Sequence, residues 1–162
     1  MGRTALIQQD ATGAGRGARD RYTGNEMPYL RSFAAGFLAT LLFHQVLLGI
    51  LHAAGAVPFA PFNFAPTAPL GVPQVLSLAF WGGLWGIVLW ALLHRAHGVH
   101  RWLWAIAIGA VAPTAVAVVV VFPLKGIPVH EATILLGLLL NGAWGLGTEV
   151  FLRVLPRRVI AR

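Results

Sequence analysis

Apolar residues fall into four runs along this chain, at 31–55, 71–94, 102–124 and 132–155, separated by short charged or proline-rich breaks. Each run is about the 20 residues that a helix needs to cross the hydrocarbon core of a bilayer. The pattern predicts an all-α membrane protein, a four-transmembrane-helix bundle running up-down-up-down. Residues 28–158 form that domain. Residues 1–27 are polar, rich in Gly and Arg, and lack apolar periodicity. They are expected to be a disordered tail, because they bury too little surface to offset the entropy of ordering, and they contain no h-region of a signal peptide. The abrupt change at Met27-Pro28-Tyr29 suggests a translation start at Met27, with 1–26 a misassigned beginning. A basic end, 159–162, follows the bundle.

The arginines give the bundle a direction. Arg16, Arg19, Arg21 and Arg31 precede the first run; His94, Arg95, His97, His100 and Arg101 fill the second break; Arg153, Arg157, Arg158 and Arg162 close the chain. The other two breaks hold only Lys125 as a fixed cation. Cytoplasmic loops of membrane proteins carry the excess of Lys and Arg, so both termini and the middle loop are expected to be cytoplasmic.

Composition narrows the chemistry. Only 10% of residues are charged, against about 25% in a soluble domain. The net charge of +7 comes from eleven arginines and one lysine. Their place beside the ends of apolar runs points to anionic headgroups at the cytoplasmic face and away from nucleic acid. The absence of cysteine removes disulfides, thiolate nucleophiles and Cys-ligated metals. Serine occurs only at Ser32 and Ser77, and aspartate only at Asp10 and Asp20 in the tail. Neither an intramembrane aspartyl dyad nor a serine hydrolase is indicated, and no enzyme activity or cofactor is expected. Arginine in place of lysine, with abundant Ala, Gly and Val, fits a GC-rich bacterium and its cytoplasmic (inner) membrane.

Small residues recur at helical spacing on each run, where membrane helices pack most closely. The packing candidates are Gly82, Gly83, Gly86, Gly109, Pro113, Gly142 and Gly145, with Pro113 expected to kink its helix. Gly83-Leu84-Trp85-Gly86 echoes Gly142-Ala143-Trp144-Gly145, as a duplicated hairpin would.

Aligning the middles of the runs puts His44, Gln45 and Asn141 near one level, and polar groups at that depth need partners or mark function. Asn141 is the expected partner of His44 or Gln45. Glu149 is the one acid in the cytoplasmic half, with Arg153 one turn on, as an i,i+4 ion pair requires. Towards the other face, His52, His130 and Glu131 are weak candidates for a metal or a b-type haem, because no HxxxH or HExxH spacing supports them. The uncharged break 56–70 carries Pro58, Pro61, Pro66 and Pro69 among Phe59, Phe62 and Phe64. It reads as an extended connector lying on, or dipping into, the outer interface, with a docking or gating flap as the sharper alternative.

No characterised family is recognised in these motifs. The leading expectation is a non-enzymatic accessory or oligomerising membrane subunit, forming a homo-oligomer or part of a larger complex, with the GxxxG and tryptophans of the second run exposed for association. The alternative is a small proton- or solute-coupled transporter built on the His44, Gln45 and Asn141 layer.

Overall fold

The computed structural model describes residues 28–156. The expected tail, the start at Met27 and the basic end at 159–162 lie outside the described residues. Four helices are each long and apolar enough to span a membrane: α1 (Pro28–Ala53), α2 (Gln74–Leu93), α3 (Gly98–Leu124) and α4 (Glu131–Val154). Their bounds differ from the apolar runs for local reasons. Pro28 opens α1 three residues early, since proline lacks an N–H that would be unpaired there anyway, and its carbonyl accepts the Ser32 hydroxyl at 2.5 Å. Gly98, at φ +64°, turns the chain out of the extended His97 and starts α3 four residues early. Residues 71–73 leave α2 because they belong to a hairpin.

That hairpin qualifies the all-α expectation. Strands β1 (Pro66–Thr67) and β2 (Val72–Pro73) pair antiparallel, Pro66 opposite Pro73 and Thr67 opposite Val72. Two π-turns interrupt the helices, at Thr40–His44 in α1 and Ala117–Val121 in α3. In the first, the Gln45 N–H reaches back to the Thr40 carbonyl. The second begins four residues after Pro113, which lies inside α3. The widened turn is what the structure adds to the kink expected from the missing proline N–H.

Glycine sets how the helices meet. A Cβ on Gly86 would collide with the Ser32 carbonyl and lie 3.0 Å from the Gly36 Cα; one on Gly36 would collide with the Gly82 carbonyl. As α1 climbs from Ser32 to Gly36, its neighbour falls from Gly86 to Gly82, so the pair is antiparallel. In the second hairpin a Cβ on Gly145 would collide with the Ala105 carbonyl and lie 3.1 Å from the Gly109 Cα, and one on Gly109 would lie 3.1 Å from the Asn141 carbonyl. Gly83 faces the Phe33 ring, as Gly142 faces Ile106. A shift of 73 positions carries Ser32, Phe33 and Gly36 onto Ala105, Ile106 and Gly109. A shift of 59 carries Gly82, Gly83 and Gly86 onto Asn141, Gly142 and Gly145. The short echo in the sequence is thus the visible part of a packing scheme used twice, once in each hairpin.

The hairpins join through α1 and α4. Trp144, 3% exposed, donates its indole N–H to the Gly36 carbonyl at 2.9 Å. Phe43 packs edge-on to Phe151, and a Cβ on Gly147 would collide with the Phe43 ring. Ala39, Leu89, Leu93, Ala105 and Trp144 form the buried centre.

Candidate functional site

The polar positions resolve into three separate arrangements. The expected partnership of Asn141 with His44 or Gln45 is not made. Asn141 Nδ2 donates to Thr114 Oγ1 of α3 at 2.9 Å. The physical reason is the repeat: Asn141 stands where Gly82 stands in the first hairpin, on the face turned to its own hairpin partner. The bond ties α3 to α4.

Gln45 turns to the connector instead. It is 4% exposed, and its Oε1 accepts the Phe62 N–H at 2.7 Å. Position 45 is eight residues, or about 12 Å of helix, below the end of α1 at Ala53. The connector therefore folds back towards the middle of α1, while Phe59, Phe62 and Phe64 stay exposed. Pro61 sits over Gly49, its Cβ 3.7 Å from where a Gly49 Cβ would stand. Phe62 takes φ +52°, a left-handed conformation uncommon outside glycine. The rest of the connector is fastened to the start of α2. Asn63 Nδ2 donates to Gln74 Oε1 at 2.8 Å, the Gln74 N–H to the Ala65 carbonyl at 3.0 Å and the Val75 N–H to the Asn63 carbonyl at 2.9 Å.

His44, next to Gln45 and inside the π-turn, has a buried Nδ1 with no hydrogen-bond partner among the described residues. Every other polar side chain singled out at mid-bundle is bonded within the chain, and such orphaned groups are uncommon.

The third arrangement lies at the end where α1 and α3 begin and α2 and α4 finish. Glu149, 1% exposed, accepts from Arg101 Nε through both carboxylate oxygens, at 2.7 and 2.9 Å. Arg101 Nη1 also donates to the Leu93 carbonyl at 3.2 Å, closing the last turn of α2. The expected ion pair with Arg153 is present at 3.0 Å, with Arg153 42% exposed and its Cζ 4.0 Å from the centre of the Trp102 ring. Arg31 Nε donates to the Leu155 carbonyl at 3.1 Å. Arg101, on the Glu149 carboxylate and the Leu93 carbonyl, thus gathers α2, α3 and α4. Sequence reasoning missed Arg101, having counted it only as a topological charge. The signal available was that a buried acid needs more than one exposed partner.

The weak metal candidates do not assemble. Among the described residues no three of His, Asp or Glu are grouped as a metal site requires. His52 Nδ1 lies 3.1 Å from the Val57 carbonyl, and His130 is the residue before α4, with Glu131 in its first turn. The glycines of α2, expected to be exposed for association, face α1: a Cβ on Gly82 would collide with Thr40 Oγ1, and one on Gly83 would lie 2.5 Å from the Phe33 ring. The outward surface keeps its aromatics, with Trp81 59% and Trp104 55% exposed. No family model, no curated protein and no solved structure matches the chain. What it does has to be argued from its own residues.

Proposed function

We propose that this chain is a non-enzymatic accessory subunit of a bacterial cytoplasmic membrane, with both termini on the cytoplasmic side. The observation that carries this reading is the internal use of its polar and small residues. Gln45 holds the connector, Asn141 holds Thr114, Glu149 holds two arginines, and the glycine stripes of both hairpins close on their own partners. A bundle that uses its polar and small side chains internally acts through its outer surface, here rich in tryptophan, valine and leucine. The orientation is supported by Arg31, Arg95, Arg101 and Arg153 sharing one end, with Lys125 at the other. Anionic headgroups are the natural neighbours of that end.

The test is purification of the full chain in mild detergent from its native membrane, followed by mass spectrometry of co-eluting proteins. A stoichiometric larger assembly, or a homo-oligomer, is the expected result. A lone monomer that drives proton or solute flux in liposomes would overturn the proposal. That second reading, a small transporter, is favoured by one observation: the Nδ1 of His44, which has no partner among the described residues. It predicts that His44→Leu abolishes flux while leaving the elution profile unchanged.

A further inference from the structure

We propose that residues 58–73 are a lid, hinged at 56–57, built onto α2 and latched to the middle of α1 by the hydrogen bond from the Phe62 N–H to Gln45. The attachment is asymmetric. On the α2 side, three hydrogen bonds from Asn63, Gln74 and Val75 and the β1–β2 pairing make the segment a rigid extension of the helix start. On the α1 side the base is fixed by the Ala56 N–H on the Leu51 carbonyl at 2.9 Å and by His52 Nδ1, 3.1 Å from the Val57 carbonyl; beyond Val57 there is one side-chain bond and the contact of Pro61 with Gly49. The latch residue Phe62 is held at φ +52°, so that contact opposes a local backbone preference. The lid carries no formal charge, and nothing electrostatic resists its moving between the bundle and the outer interface.

Comparison of the two hairpins separates this feature from the needs of folding. The 73-residue shift that superimposes the glycine contacts carries His44 and Gln45 onto Ala117 and Val118. The second hairpin closes with positions 125–130 where the first uses 54–73. The same helix packing is thus achieved without polar residues at those two positions and without a long connector. Where the repeat is broken, three things coincide: a buried amide, an imidazole nitrogen without a partner among the described residues, and a chain segment that binds the amide. When the latch opens, water and small uncharged polar solutes reach the Gln45 amide from the lid side.

Because the natural chain has no cysteine, thiol labelling reads this directly. A thiol is introduced by Gly49→Cys in the full chain, reconstituted in lipid nanodiscs, and challenged with a water-soluble, membrane-impermeant maleimide. Labelling is expected to be slow beside Gly126→Cys in the other connector, and to rise about fivefold when Gln45→Met removes the acceptor. Labelling as fast as at position 126 would overturn the proposal. So would an unchanged rate in a Gln45→Met variant whose circular dichroism and elution match the parent. If Gln45→Met does not fold, the double variant Gly49→Cys/Pro61→Cys carries the test with Gln45 intact. Its Cβ separation of 3.7 Å suits a disulfide. Oxidation should block labelling, and reduction should restore slow labelling of the thiol at position 49; no labelling of the reduced pair over a day would overturn the lid.

Discussion

Glu149 and Arg101 show how one ion pair can hold three helices. A carboxylate this deep is costly to desolvate, and Arg101 offsets that cost from both oxygens while capping the Leu93 carbonyl. Arg153 is half in solvent and adds little more than an exposed pair does. Arg101→Leu is therefore expected to destabilise the bundle by about 3–5 kcal/mol, and Arg153→Leu by under about 1 kcal/mol, measured by denaturant unfolding in detergent. The double change Arg101→Leu/Glu149→Leu should recover part of the first loss, because it removes the stranded charge. Trp144→Phe removes the indole donor to Gly36 and keeps the ring. Interhelical hydrogen bonds in membranes average about 0.6 kcal/mol, so a loss of that order is expected in the same assay.

At the scale of the helix, the glycines divide into those that touch backbone and those that do not. Gly36, Gly86 and Gly145 leave no room for a methyl group, because the opposing atoms are main-chain carbonyls. Gly142 leaves ordinary contact distance, 3.5 Å to the Ala110 Cβ. Gly145→Ala should thus lower the unfolding midpoint markedly, with a loss of about 1–3 kcal/mol typical of overpacking, while Gly142→Ala should be close to neutral. Thermal unfolding of the two variants side by side checks this. The spans were legible in the sequence because lipid imposes a length and a polarity that few other environments demand. The partner of Asn141 was not, because levelling the runs by their midpoints ignores which way each helix is turned. The four-residue echo held that information: once Asn141 is aligned with Gly82, its contact with α3 follows. The connector was the least legible part, since no local pattern tells an amide 17 residues away to accept the Phe62 N–H.

For the whole molecule, the repeated contacts predict two semi-independent halves. Separate polypeptides ending at His97 and starting at Gly98 should co-purify when expressed together, held by Trp144 on Gly36, Phe43 on Phe151 and Arg31 on Leu155. Substituting Gly36→Leu in the first half should abolish that co-purification, because it forces α1 away from α2 and so displaces the carbonyl that Trp144 binds.

The placement of Glu149 also constrains how the protein is made. A carboxylate near the end of the last span gives that segment a poor insertion energy on its own, and its chief counter-ion belongs to the span synthesised just before it. Nascent α4 is then expected to wait beside α3 at the translocon, and a chain whose third span were deleted should leave its C-terminal segment uninserted and open to protease.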